Sequence, residues 1–184
     1  MRVIAGTAKG RRLKPVPGES TRPITDRVKV ALFDIIAGEV EGSALLDLFA
    51  GTGGVGIEAL SRGAKQVFFV DINPDAVRIL RENLVATRLE EKSTVIRSDS
   101  FSYLDRMERH PFDIIYVAPP QYRGLGIRAL QSIDCRPDWL TPDGMVIVQI
   151  DPKEEAEIPL EHLLEFDRRR YGSTLLLFYE KPGE

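Results

Sequence analysis

The chain has 184 residues, 43% hydrophobic and 29% charged, with a net charge of −3 and one cysteine, Cys135. That length suits one domain with a sizeable core, and the single cysteine excludes an internal disulfide and a cysteine-based zinc site. No apolar run is long enough to span a membrane and "MRVIAGTAKGRR" lacks a signal-peptide core, so a reducing, cytoplasmic setting is the expectation.

The charge is unevenly spread. Residues 1–30 carry eight Lys/Arg against two acids, a net +6, while the rest carries 17 against 26, a net −9. A basic arm on an acidic body points to a polyanionic partner. His110 and His162 lack metal-ligand spacing, so both are expected at the surface and no metal is expected.

In chain order, residues 2–5 and 11–14 read as short strands around "GTAKG", a hairpin-like arm extending to about residue 25 through "VPGESTRP". A leading helix over 26–38 places Val28, Ala31, Leu32, Ile35 and Ile36 on one face, with Gly38 as its stop. From 44 to 184 strands and helices alternate. "ALLDLF", "QVFFVD", "STVIRSD", "FDIIYV" and "MVIVQI" read as strands; "LTPDG" before the last reads as a turn. "GIEALSRG", "SFSYLDRM" and "GIRALQSI" read as helices, as does "PDAVRILRENLVATRL", with Asn73 as N-cap and Pro74 at its first position. The strands are continuous apolar runs, which predicts a parallel sheet buried on both faces and a doubly wound α/β fold. "EFDRRRYG" and "STLLLFYEK" read as a closing hairpin around Gly172 that adds an antiparallel strand. The whole is expected to be one domain.

"DLFAGTGGVGIEAL" joins the first core strand to a helix. Gly51, Gly53 and Gly56 satisfy G-x-G-x-x-G, and Asp71 ends the next strand, 20 residues after Gly51. That spacing admits NAD, with Asp71 on ribose hydroxyls. Asp47, ahead of the glycines, argues otherwise: a carboxylate there repels a pyrophosphate and suits a cationic ligand such as S-adenosylmethionine. The chain also leaves no room for a separate substrate domain.

These segments, with "SD" at 98–99 and "DIIYVAPPQYRGL", resemble class I methyltransferases that modify exocyclic amino groups. With "GRRLK" and "TRPITDRVK" in front, the chain is similar to the bacterial small-subunit ribosomal RNA (guanine-N2) methyltransferase family over nearly its whole length. The resemblance implies a Rossmann-like seven-stranded sheet of order 3-2-1-4-5-7-6 with strand 7 antiparallel. It implies methyl transfer from S-adenosylmethionine to N2 of a guanine in 16S ribosomal RNA or the small subunit, and a monomer is the default expectation. It places the cofactor on Asp47, Phe49, Ala50, Gly51, Thr52 and Gly53, the ribose on Asp71, and the adenine on Asp99, Ser100, and Phe101 or Ile72. Arg11, Arg12, Lys14, Arg22 and Arg123 are the expected RNA contacts.

Two adjacent prolines end the fourth strand in "YVAPPQY". In the family, Asp or Asn, then Pro-Pro and an aromatic residue, supplies an acceptor for the amine, a rigid corner with a second, backbone acceptor, and a ring that stacks on the base. Here Ala118, Pro119, Pro120, Gln121 and Tyr122 occupy that corner. Ala118 lacks the acceptor and Gln121 is not aromatic; Tyr122 follows one place late, and Gln121 is a candidate replacement acceptor. An RNA-binding protein of methyltransferase fold with little catalysis is the rival reading.

Overall fold

The computed structural model describes residues 1–18, 24–107 and 110–182. Seven strands, β1 (Ala44–Asp47), β2 (Gln66–Asp71), β3 (Ser93–Arg97), β4 (Phe112–Val117), β5 (Leu140–Ile150), β6 (Leu164–Tyr171) and β7 (Thr174–Glu180), form one sheet. Their order is β3-β2-β1-β4-β5-β7-β6, and β7 runs antiparallel to both of its neighbours. The other pairings are parallel. Order and direction match the expectation.

Six α-helices accompany the sheet among the described residues: α1 (Asp26–Ile35), α2 (Ala37–Val40), α3 (Gly54–Ser61), α4 (Pro74–Thr87), α5 (Ser100–Leu104) and α6 (Leu125–Asp134). Successive strand side chains face opposite ways, which divides the core in two. Ile114 and Tyr116 of β4 pack with α1, α3 and α4 through Leu32, Phe33, Ile57 and Leu80. Ile115 and Val117 pack on the other face with α5, α6 and Trp139 through Leu104, Ala129 and Ile133. Asn73 caps α4 as read, its side chain accepting from the Asp75 and Ala76 N–H groups ahead of Pro74.

Several details differ from the sequence reading. α1 stops at Ile35, and Gly38 lies inside α2; the left-handed residue that ends this region is Gly42, at φ 76°. "LTPDG" does not precede the fifth strand but belongs to it: Phe112 pairs with Leu140 and Ile114 with Met145, so residues 141–144 form an excursion within β5. Burial on both faces fails at the sheet edges, where β3 is only half-buried and β6 is largely exposed.

The basic arm is hairpin-like, but its two strands reduce to one bridge, Arg2 with Arg12. It is not a solvated tail. Val3, Ala8 and Leu13 join the core. The backbone N–H groups of Ile4 and Ala5 donate to the Glu58 carboxylate at 2.8 and 3.0 Å, and that of Ala8 donates to Ser61 Oγ at 2.9 Å. Glu58 is wholly buried and also meets Lys29 Nζ at 3.3 Å and Arg62 Nε at 2.8 Å. Further along the arm, the buried Asn83 accepts from Lys14 N at 2.8 Å and donates to the Lys14 and Thr52 carbonyls at 3.1 and 3.0 Å. One amide of α4 thus ties the arm to the glycine loop.

Candidate active site

A cavity of about 390 Å³ opens at the C-terminal ends of β1, β2 and β4. This is where an open α/β sheet places its ligands, because the strand order changes direction there. Asp47 ends β1 and Asp71 ends β2, and both line the cavity.

The glycine loop between β1 and α3 sets the floor. Gly51 and Gly53 adopt φ 52° and 79°, the left-handed region that glycine enters without strain. The expected fingerprint glycines divide their work. A Cβ on Gly56 would lie 2.2 Å from Phe69, so Gly56 lets α3 pack on β2. A Cβ on Gly53 would lie 2.3 Å from Leu80, so Gly53 faces α4 and, unlike Gly51 and Gly54, does not line the cavity. The resemblance places the cofactor on Gly53, but Gly53 stands outside the cavity lining and makes the turn. Gly54 faces the Met1 thioether, 2.4 Å from where its Cβ would stand.

The two carboxylates differ in environment. Asp71 is partly exposed and accepts the Gly51 and Asn73 N–H groups, one on each oxygen, both at 2.8 Å. Those bonds aim it, and each oxygen keeps a lone pair for a ligand hydroxyl. Asp47 is buried and accepts the Gly56 N–H at 3.2 Å. Burial pushes its carboxyl up to about 7, against the pull of the Gly56 bond, and the nearby Asp71 charge pushes the same way.

Just past the end of β3, which pairs with β2 up to Asp71, Asp99 caps α5, accepting the Ser102 N–H at 2.9 Å, and still lines the cavity. The Ser100 hydroxyl is taken by the Leu48 carbonyl at 2.6 Å. Phe101 meets Phe49 edge-on at 6.3 Å and carries the Arg128 guanidinium 3.8 Å over its ring. Ile72, 62% exposed, offers an apolar surface at the same opening. Of the expected cofactor positions, Phe49, Ala50, Thr52, Asp99, Ser100, Phe101 and Ile72 all border the cavity with Asp47, Gly51 and Asp71.

Ala118, Pro119, Pro120 and Gln121 border the same cavity. Tyr122 does not. It sits at φ 63°, 65% exposed, with its hydroxyl 3.0 Å from Asp151 Oδ2. The Arg123 and Gly124 N–H groups donate to Glu154 Oε1 at 3.2 and 3.3 Å, so the corner is tied down beyond the prolines.

The expected RNA contacts separate. Arg12 is exposed on the arm, and Arg123 is exposed at the cavity wall. Arg11 is exposed, with Nη1 donating to the Ala86 carbonyl at 3.1 Å, and Lys14 pairs with Glu82 at 2.7 Å. Arg22 lies outside the described residues.

Sequence reasoning missed Tyr116, Gln149, Arg128, Met1 and Ile24, which also border the cavity. Gln149 carried a usable signal, a polar residue inside the apolar run "MVIVQI". Tyr116 lies two residues before Ala118, on the same side of its strand by simple alternation. Met1 and Ile24 carried none, because folding alone brings the arm to the site.

The family model for conserved hypothetical protein 95 matches residues 1–180. The chain belongs to that family. It is 37% identical to YlbH of Bacillus subtilis over the full length of both chains. It is 35% identical to ribosomal RNA small subunit methyltransferase D of Haemophilus influenzae, over 86% of this chain and 83% of that one. Among solved structures, yhhF of Escherichia coli matches with a TM-score of 0.88 at 27% identity, covering 100% of this chain and 99% of that one. The fold is that of the class I methyltransferases.

Proposed function

We propose that this protein transfers a methyl group from S-adenosylmethionine to N2 of a guanine in small-subunit (16S) ribosomal RNA. The observation that carries the reading is that Asp47, Asp71 and the Pro119–Pro120 corner line one cavity together. The donor set fits this cofactor. Asp71 is aimed for ribose hydroxyls; Phe101 and Ile72 offer apolar surface to an adenine; Asp47 meets positive charge and would repel phosphate. Bound there, S-adenosylmethionine supplies a methyl group on a sulfonium.

A guanine amine is a weak nucleophile because its lone pair is delocalised into the ring. On taking the methyl group that the bound cofactor would supply, the amine would become cationic and would shed one proton to water. The chain's task is to aim that nitrogen and to accept hydrogen bonds from it as positive charge develops. Carbonyls of the Pro-Pro corner are rigid acceptors for this purpose. The basic arm, docked beside the cavity through Met1, supports an RNA substrate.

Ala118 favours a second reading, an RNA-binding protein with little catalysis. One assay separates the two: transfer of labelled methyl to small-subunit RNA and particles lacking the modification, followed by nucleoside analysis. Labelled N2-methylguanosine is the expected product. RNA binding without transfer would establish the second reading.

A further inference from the structure

Resting on the function just proposed, the reaction needs an acceptor beside the amine, and the Ala118 side chain offers none. Two polar side chains stand next to it on the same face of the sheet. Tyr116 lies two residues earlier on β4, and Gln149 lies on the neighbouring strand β5; both border the cavity. The Tyr116 hydroxyl, in a side chain only 3% exposed, donates to Gln149 Oε1 at 2.7 Å. That bond orients both groups. The Gln149 oxygen is turned towards tyrosine, so its amide N–H groups point the other way, and Gln149 makes no other side-chain hydrogen bond among the described residues. The tyrosine oxygen, having donated its hydrogen, keeps lone pairs. Tyr116 is buried and Gln149 half-buried, so the Gln149 N–H groups are held at the cavity with no side-chain or backbone acceptor among the described residues.

We infer that Tyr116 and Gln149 are the base-reading pair of this cavity, the hydroxyl oxygen accepting a hydrogen of the exocyclic amine and the Gln149 amide donating to the unprotonated ring nitrogen beside it. N2 and N3 of guanine form such an edge. Uracil has no exocyclic amine and does not. The pair thus stands in for the acid or amide that Ala118 replaces, from the strand interior instead of the corner.

The test uses Tyr116→Phe, Gln149→Met and the double variant in single-turnover methyl transfer to small-subunit RNA, with cofactor affinity and thermal unfolding measured in parallel. Each single variant is expected to lose about 10-fold or more in the transfer rate, the size of a hydrogen bond to a group that becomes charged. Cofactor affinity should change less than about twofold. The double variant should be no slower than the worse single, because the two side chains act as a unit. Parental rates in both single variants overturn the pair, as does a double variant whose losses multiply. Losses matched by weaker cofactor binding and lower thermal stability also overturn it, because the residues would then be structural. A parent protein that transfers no methyl to any RNA overturns the function itself, and the pair with it.

Discussion

Lys29 Nζ lies 3.3 Å from Glu58 Oε2, and both side chains are wholly buried. The pair joins α1 to α3 beneath the arm. Lys29 also donates to the Arg2 carbonyl at 2.5 Å, and burial lowers its pKa despite the Glu58 charge. A buried pair adds little net stability, but breaking it strands a charge. Glu58→Gln leaves the Lys29 ammonium beside a neutral amide and is predicted to cost about 3–5 kcal/mol in denaturant unfolding. Lys29→Met should cost less, because Glu58 keeps Arg62 and two backbone donors. Equal losses would refute this account of the pair.

Asp47 predicts a pH dependence. Its carboxyl titrates near 7 in the folded chain, against 3.8 ordinarily. The folded state holds the extra proton between those values, so this group's contribution is fully favourable below about pH 4 and is lost as the pH rises through about 7. Asp47→Asn should therefore stabilise the chain more at about pH 8 than at about pH 5, while weakening S-adenosylmethionine binding. Near neutral pH, cofactor binding to the parent should release a proton that the variant does not release. Calorimetry in buffers of different ionisation heat measures it; identical proton release in parent and variant would remove Asp47 from the cofactor's charge.

The glycine loop separates stability from ligand space. Gly53→Leu puts a side chain at φ 79° and against Leu80, so it should lower stability by several kcal/mol, in the range of core overpacking with backbone strain. Gly54→Val clashes with the flexible Met1 side chain, touches Thr52 Oγ1 at 3.7 Å and projects beside the cavity, so it should weaken cofactor binding with a smaller stability loss. Unfolding curves and cofactor titrations of both variants decide; the reverse ranking would mean the two glycines have been assigned the wrong way round.

RNA affinity should fall steeply with salt through counterion release, by a log–log slope of about 0.7 per single-strand phosphate contacted. Arg12→Ala and Arg123→Ala should each flatten that slope by about one contact and leave cofactor affinity unchanged. Arg11→Ala and Lys14→Ala should also loosen the arm from α4, visible as faster amide exchange in residues 10–14. RNA binding that ignores both salt and these changes would make the arm purely structural.

Ala118→Asn returns an acceptor to the corner. In the parent its effect should be small, because Tyr116 already serves the amine. In Gln149→Met or Tyr116→Phe it should restore about 10-fold in transfer rate. A large gain in the parent would show that the amine lacks its acceptor there, and rescue in neither background would place the amine away from Ala118.

Much of the fold was legible because local signals agreed with the global one. Asn73 and Pro74 announced α4, Gly172 the closing hairpin, and the apolar runs the central strands. Part of the cavity was legible for the same reason: Asp47, Gly51 and Asp71 sit where strands meet turns, and turn chemistry is written locally. The rest was not. Gln149, Met1 and Ile24 reach the cavity from β5 and from the arm, so only tertiary packing brings them together. Tyr122 misled because sequence adjacency suggested a direction that its positive φ and the Asp151 bond reverse. "LTPDG" misled because a turn within a strand carries the same residues as a turn between two elements.

The arm's attachments have a consequence for the order in which the molecule assembles. Ile4 reaches Glu58 across 54 positions, Ala8 reaches Ser61 across 53, and Lys14 reaches Asn83 across 69. Such closures are entropically expensive until α3 and α4 already sit on the sheet, so the arm is expected to be among the last parts of the chain to find its place. Because Met1 and Ile24 complete one wall, the cavity is finished only at that final step. A ligand needing the complete wall would report directly on the end of folding, and its binding rate after refolding would lag behind the return of helical signal.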